Sequence, residues 1–557
     1  MARDLLSEEL SSAIARAREA GALPKLASPS VDLQTPRDAR HGDLSTNIAL
    51  VIASEAGGDP RQVAQTILDH LRLPQGLVDR TEIAGPGFIN FTLSPVWLRQ
   101  MVWQIVREGE QFARSAAGGG KRLLLEFVSA NPTGPLAVVQ GRAAALGDAL
   151  AHLFERTGWT VSREYYVNDA TNSTQVRRFA ETLEARYLQQ LGKEAAVPEE
   201  GYQGDYVIEM AEELVKAEGD RLLGLSQEKR LAALYRYSLD RIVESHQRDM
   251  AAFGVHFDTW FMESSLYATD EVSAAMEALR GKGHTYEAEG ALWLRATDFG
   301  DDQDHVLVRN DGRPTYLAAD IAYHKNKFER GFDRLIDIWG PDHHGHVRRT
   351  KAGVQALGYD PSRFEILIHQ WVRLFRGSEM VRMSKRAGDI VPLAGLLDDV
   401  GSDAARFFFL MQSLDSHLDF DLELAKKQAA ENPVYCVQYA HARICSILRT
   451  AEERGLDLSG SGQANLDRLG EPDELALMRK LSEFPEEMEQ AAARYEPHRM
   501  TRYARELGSI FHGFYTNCRV LGEDAELTAA RLALVLASRT VLRIVLGIIG
   551  VSAPEQM

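Results

Sequence analysis

The chain has 557 residues, which at roughly 150 residues per domain predicts three or four domains rather than a single core. Hydrophobic residues make up 45% and charged residues 26%, which excludes disordered, collagen-like and low-complexity classes. With 63 Lys and Arg against 80 Asp and Glu the formal charge is −17, so the bulk field repels polyanions and any nucleic-acid surface must be a local patch.

The N-terminus, Met1 to Leu10, carries acids where a signal peptide needs an uninterrupted apolar region, so the expected compartment is the cytoplasm. Residues 1–114 combine two helical patterns with a strand-like Gly87-Phe-Ile-Asn-Phe-Thr-Leu93 and predict a separate α+β unit. Ser115-Ala-Ala-Gly-Gly-Gly120 reads as a flexible boundary. Gly118-Gly-Gly-Lys121 has the look of a phosphate loop, but it precedes its strand and lacks the distant first Gly and the Ser or Thr after Lys; the linker reading is preferred.

Arg122-Leu-Leu-Leu-Glu-Phe-Val128 is a continuous apolar run, as expected of a strand buried on both faces of a parallel sheet. A loop follows to Pro135, then an Ala/Leu-rich helix over 142–156 and a second strand over 160–167, which completes a βαβ nucleotide-fold half. Residues about 175–262 read as a charge-laced helical insertion. Strand signals at 291–295, 306–308, 335–339 and 364–368 predict the second half of a doubly wound sheet. The resulting division is 1–114, 115–421 and, from 422 to 557, a helical bundle. Leu532 to Val551 contains Arg539 and Arg543, which argues for a buried closing helix and against a membrane span. Cys436, Cys445 and Cys518 form no C-x-x-C pair and are expected as reduced, buried thiols.

Three segments have chemistry to offer. The loop Asn131-Pro-Thr-Gly-Pro-Leu136 runs into a helix whose first turn presents free N–H groups and the positive dipole end, a phosphate site in principle. Asp342-His-His-Gly-His346 follows a strand where an open α/β sheet places its ligand crevice; adjacent histidines point in different directions, so polar contacts to a nucleoside are expected rather than a metal. Val381-Arg-Met-Ser-Lys-Arg-Ala-Gly388 packs three cations and a Gly into one turn, as a phosphate clamp needs.

In order and together, Glu126 to Leu136, Tyr165-Tyr-Val-Asn-Asp169, Gly290 to Arg295, Asp298 to Asp302, Thr315 to His324, Gly340 to Gly345, Arg382 to Gly388 and Asn432 to Arg443 resemble bacterial arginyl-tRNA synthetases. His41 to Asn47 and Gly85 to Phe91 extend the resemblance to the N-terminus. It implies a Rossmann-like class I synthetase core between an α+β tRNA-elbow domain and an all-α anticodon-binding bundle. The implied reaction joins L-arginine to tRNA(Arg) through arginyl-adenylate, with ATP and Mg2+ as substrate, no protein-held metal, no membrane, and a monomer as the usual form.

Carried onto this sequence, the resemblance implies arginine contacts at Glu126, Ser129, Asn131, Glu263, Tyr316, Asp320 and His344. The chemistry agrees, because a guanidinium needs carboxylates in planar, bidentate range. The ATP site would involve Pro132, Gly134, Ala137, Gln140, Gly141, Asp342, His343, His344, Met383, Ser384 and Lys385. tRNA contacts would be Phe88 and Asn90 in the first unit, and Tyr435, Tyr439, His441 and Arg443 in the last.

One departure is large. Where the family usually has His-Val-Gly-His, this chain has Ala137, Val138, Val139 and Gln140. Losing one preorganised donor typically costs about a hundred- to a thousandfold in rate, roughly 3–4 kcal/mol. Val139 in place of Gly also crowds close backbone approach. The expected compensation is Lys385 with Arg382 or Arg386 as the main catalytic cations, Gln140 in part of the second histidine's role, and Arg142 one turn on. Many family members show the reverse imbalance, keeping the histidines without the lysine. Two alternatives stand beside this reading: an impaired paralogue that binds tRNA or arginine without activating it, and a nucleotidyltransferase acting on another small molecule.

Overall fold

The computed structural model describes residues 2–24, 30–36, 38–170, 174–381, 391–456 and 464–557. At its centre are five parallel strands: β1 (Arg122–Glu126), β2 (Thr160–Val167), β3 (Thr259–Met262), β4 (Arg334–Trp339) and β5 (Phe364–Ile368), in the order β5-β4-β1-β2-β3. The order reverses between β1 and β4, and the crevice of such a sheet lies at the carboxyl ends of the strands there. Leu123, Leu124 and Leu125 of β1 are fully buried, as a strand covered on both faces requires.

Helix α1 (Val138–Arg156) connects β1 to β2. It packs so close to the chain beyond β1 that a Cβ on Gly147 would lie 2.2 Å from the Phe127 ring. Between β2 and β3 come three insertion helices, α2 (Thr174–Gln190), α3 (Asp205–Glu218) and α4 (Gln227–Ala252). The expected insertion range, 175–262, therefore overran: Thr259–Met262 is the edge strand of the sheet itself. Helix α5 (Tyr316–Glu329) precedes β4.

A second correction concerns 291–295 and 306–308. They do not enter the main sheet; with Thr285–Ala288 they form a separate three-stranded antiparallel sheet. Glu289 and Gly290 both have positive φ, 53° and 74°, which makes a two-residue hairpin turn and commits the flanking strands to antiparallel pairing.

The N-terminal part has a four-stranded antiparallel sheet with helices Ala2–Glu19, Ile48–Ala56 and Pro60–Asp69, and its own core from Leu6 to Phe91. Helix Pro95–Glu108, inside the expected 1–114 unit, instead packs into the core shared by the central sheet and the C-terminal helices. The glycine run is no loose linker: Gly118 N–H donates to Thr157 O at 2.7 Å, Gly120 N–H to Gly158 O at 2.8 Å, and a Cβ on Gly118 would meet Trp159 at 2.5 Å.

The C-terminal part is all helical among the described residues after 421: α6 (Pro433–Glu453), α7 (Pro472–Ala493), α8 (His498–Asn517) and α9 (Ala525–Ile548). Among the described residues no helix is long and apolar enough to cross a membrane. Cys445 and Cys518 are buried, whereas Cys436 is exposed, against expectation.

Candidate active site

Glu126 ends β1 directly beside Asp337 of β4, its register partner. Between them Lys327 of α5 places its ammonium on both carboxylates, 2.7 Å from Asp337, with Glu126 the other partner. His324 adds a contact to Asp337 at 2.8 Å. Burial works against the ionised form of Asp337, yet Lys327 and His324 overcome it and hold the carboxyl below its ordinary range.

Beyond β1 the backbone is strained. Val128 and Ser129 have φ of 73° and 43°, and a β-branched residue there costs on the order of 1–3 kcal/mol. The strained turn swings Ser129 Oγ to donate to Glu126 Oε1 at 2.7 Å and to accept Tyr166 N–H at 3.2 Å. Glu126 and Ser129, both expected at arginine, are thus joined to one another, and each oxygen of Glu126 already has an internal partner.

Glu263 is different. It opens the short helix after β3, is 2% exposed, and its Oε2 is buried without a hydrogen-bond partner. Its pKa is pushed up to about 7, first by burial and then by the Asp320 charge, with Tyr166 opposing. Asp320 on α5 is also raised by burial, against the pull of His324, Arg349, His343 and Lys327. Tyr166 on β2 is raised by burial and by Glu263, Asp320 and Glu126. Two carboxylates and a phenol therefore lie together, and among the described residues no cation forms an ion pair with Glu263 or Asp320, an arrangement complementary to a planar guanidinium. Tyr316, at the first position of α5, is 52% exposed.

Tyr166 and Asp169 lie in the segment Tyr165–Asp169 that carries the resemblance, but sequence reasoning assigned neither a role at the site. Asp169 accepts both the N–H and the hydroxyl of Ser264 and so ties the β2 end to the start of the Glu263 helix. Their position at the carboxyl end of a central strand was the available signal.

On the nucleotide side, Ala137 caps α1 and Gln140 Oε1 accepts the Ala137 N–H at 3.0 Å. The first turn of α1 leaves helix N–H groups free, as every helix N-terminus does. Leu393 N–H donates to Leu136 O at 2.7 Å and Pro392 bridges Ala137, so the chain after residue 390 is stitched to this turn. Arg382, Met383, Ser384 and Lys385 lie outside the described residues. Asn131 is exposed and donates to Gln175 Oε1 at 2.9 Å; Pro132 is buried, and Gly134 O faces His246 at 2.8 Å.

Two expectations here need correction. Gly141 is buried and serves packing: a Cβ would lie 2.6 Å from Leu393 Cδ1. Arg142 is fully buried and donates to Gln370 O at 2.8 Å and Ser413 O at 2.9 Å, with its pKa pulled to about 10 by burial. It is a structural cation and no phosphate donor.

Asp342, His343 and His344 are exposed on the short helix Pro341–His346 that follows β4, at the same edge of the sheet. His346 beside them is driven down to about 4, chiefly by burial, and is neutral. Among the described residues no group of three or more His, Cys, Asp or Glu is arranged to hold a metal. His369, just past β5, was not foreseen; it is buried and likewise driven to about 4.

Of the expected tRNA contacts, Phe88 is 39% exposed on its strand, but Asn90 is buried and accepts Ser45 Oγ at 2.7 Å inside the N-terminal sheet. Tyr435 and Tyr439 stack at 6.0 Å and 12° on α6. Arg443 lies 4.8 Å from the Tyr439 ring and 4.8 Å from that of Tyr515, a residue of α8 that sequence reasoning missed. His441 is corrected: it points inward, 2% exposed, with Nδ1 2.9 Å from Pro554 O. A residue two positions from Tyr439 on a helix faces the other side.

Three family models cover nearly the whole chain. "Arginyl tRNA synthetase N terminal domain" matches residues 4–93, "tRNA synthetases class I (R), catalytic domain" residues 101–434 and "DALR anticodon binding domain" residues 437–557. The Arginine--tRNA ligase of Moorella thermoacetica is 50% identical over 552 residues, 99% of this chain and 98% of the relative. That of Heliobacterium modesticaldum is 50% identical over 533 residues, 95% and 94% of the two chains. Among solved structures, a putative arginyl tRNA synthetase from Campylobacter jejuni superposes with a TM-score of 0.76 at 33% identity, covering 84% of this chain and 100% of that one. The Thermus thermophilus arginyl-tRNA synthetase shares the fold at a TM-score of 0.77 and 23% identity, over 100% of both chains. With the central sheet, the carboxylate recess and the helical bundle in one chain, this protein belongs to the class I arginyl-tRNA synthetases.

Proposed function

We propose that this chain ligates L-arginine to tRNA(Arg) in two steps, and that the recess of Glu263, Asp320 and Tyr166 is where the guanidinium binds. The observation behind the site is the buried, partnerless Oε2 of Glu263 beside a second carboxylate, which a bidentate cation would satisfy. In the first step a carboxylate oxygen of arginine attacks the α-phosphorus of ATP and pyrophosphate leaves with its Mg2+. In the second a hydroxyl of the terminal adenosine attacks the arginyl carbonyl and AMP leaves. Glu126, its pKa raised by burial and its oxygens held by Lys327 and Ser129, is the carboxyl at the switch point that meets the substrate ammonium.

ATP lies over the loop Asn131–Leu136 and the first turn of α1, near Asp342, His343 and His344, with no imidazole at 137 or 140. Lys385 with Arg382 carries the main phosphate stabilisation, Met383 and Ser384 follow the adenosine, and Gln140 contributes its amide N–H, the end of the group not used in capping. Phe88 meets the tRNA elbow, and Tyr435, Tyr439, Arg443 and Tyr515 offer a stacking face to anticodon bases. The enzyme acts as a cytoplasmic monomer.

The test is charging of tRNA(Arg) with labelled arginine, with lysine and citrulline as competitors. Arginine charging that citrulline does not inhibit supports the carboxylate recess, because citrulline keeps the shape and loses the charge. Lys385→Ala should lower activation by about a hundred- to a thousandfold. An unchanged rate overturns the assignment of phosphate stabilisation to Lys385.

A further inference from the structure

Each insertion helix places one polar side chain on the loop between β1 and α1. Gln175 of α2 accepts from Asn131 Nδ2 at 2.9 Å. Tyr206 of α3 donates its hydroxyl to the Thr133 carbonyl at 2.9 Å. His246 of α4, 1% exposed, bonds to the Gly134 carbonyl through Nε2 at 2.8 Å and to the Tyr165 hydroxyl through Nδ1 at 2.9 Å.

The two His246 bonds have a single polarity. Burial drives the His246 pKa down to about 4, so the ring is neutral, with one donor and one acceptor nitrogen. A carbonyl only accepts, so Nε2 bears the proton and Nδ1 accepts the Tyr165 O–H. The Tyr165 oxygen in turn accepts Ala130 N–H at 3.2 Å. The relay Ala130, Tyr165, His246, Gly134 thereby pins both ends of the loop.

The loop has little else to give a ligand. Pro132 and Pro135 have no N–H, and Thr133 N–H is used on Asn131 O at 2.8 Å. Gly134 N–H alone of residues 132–135 stays free among the described residues. In a trans peptide the N–H points opposite the C=O, so Tyr206, by holding the Thr133 carbonyl, aims Gly134 N–H away from the insertion. Gly134 leaves room for this grip, since a Cβ there would sit 2.9 Å from the Tyr206 hydroxyl and push it back.

We propose that the helical insertion is a clamp on the nucleotide loop, with Tyr206 and His246 as positioning residues that aim the Gly134 N–H at bound ATP. The inference rests on the assignment of this loop to ATP. It matters more in this chain than it would elsewhere, because both imidazole donors of the neighbouring turn are absent and each remaining donor carries a larger share.

The experiment is pyrophosphate exchange by the full chain with its tRNA, ATP and arginine varied in turn. Tyr206→Phe removes one hydroxyl; His246→Leu removes donor and acceptor; His246→Gln restores one of each. Tyr206→Phe and His246→Leu should each lower kcat/KM for ATP about tenfold, less than the outright loss of a donor costs, with KM for arginine unchanged. His246→Gln should recover part of the loss. The proposal is overturned if Tyr206→Phe leaves kcat/KM for ATP within about twofold of the parent, or if KM for arginine rises in step, as general loosening would produce. Tyr206→Phe decides the matter even where His246→Leu fails to fold. Gln140→Ala separates the two levels: a change in ATP handling there, without one in Tyr206→Phe, keeps the loop as the ATP site and removes the clamp. No change in either removes both.

Discussion

The Lys327 ammonium sits 2.7 Å from the Asp337 carboxylate with both side chains closed to solvent, and the same ammonium holds Glu126 on the neighbouring strand. One cation thus joins β1 to β4 at the point where the sheet reverses its order, beneath the substrate crevice. Removing it leaves two buried carboxylates facing each other. Lys327→Met is expected to cost about 3–5 kcal/mol in urea unfolding, the cost of stranding buried charge. A loss below about 1 kcal/mol would mean that the cluster is not charged as the geometry indicates.

Glu263 makes arginine binding depend on pH. Its folded-state pKa of about 7 lies above the ordinary 4.5, so its contribution to the stability of the unliganded protein is full below about 4.5 and is lost as pH rises through 7. Arginine needs the ionised carboxylate, so its affinity should fall as pH drops below 7, approaching tenfold per unit. Calorimetry at about pH 6 in two buffers of different ionisation enthalpy should register close to one proton released per arginine bound, and almost none at about pH 8.5. Glu263→Gln should abolish the difference between the two.

The stacked face on the bundle predicts a selective loss. Tyr439→Ala and Tyr515→Ala should each weaken tRNA binding by about 1–3 kcal/mol in filter-binding titrations at fixed salt. His441→Ala should leave tRNA affinity nearly unchanged and instead lower thermal stability, because its ring is tied to Pro554 O inside the bundle.

Gly147 predicts a packing failure rather than a functional one. Adding a Cβ 2.2 Å from the Phe127 ring forces α1 away from the sheet, so Gly147→Ala should cost about 1–3 kcal/mol and depress the melting temperature.

Much of the architecture was legible in the linear pattern. The Leu123–Leu125 run is a central strand, the Ala/Leu stripe after Gln140 is its crossover helix, and the last quarter is a bundle. The misses share a cause. Thr259–Met262 is only four residues long and half-exposed throughout, so no apolar alternation marks it, and only its pairing with β2 makes it the edge strand. The strands at 291–294 and 305–308 read as ordinary strands, and only the Glu289-Gly290 turn, with both residues at positive φ, decides that they pair with each other.

At the site, residue order alone determined the family and the reaction class, because those are properties of local motifs and their sequence. Which side chain faces the substrate was decided by the tertiary structure. Gln140 and Arg142 are two residues apart on one helix, yet Gln140 stays at the α1 turn while Arg142 is captured by the carbonyls of Gln370 and Ser413, more than two hundred residues downstream. Glu126 and Glu263 are both acids at strand ends. Lys327 compensates the first and leaves the second without a cation among the described residues, and only the fold brings that ammonium to one and not the other. A buried polar group takes its role from the partner that satisfies it, and that partner is set by packing rather than by neighbours in sequence.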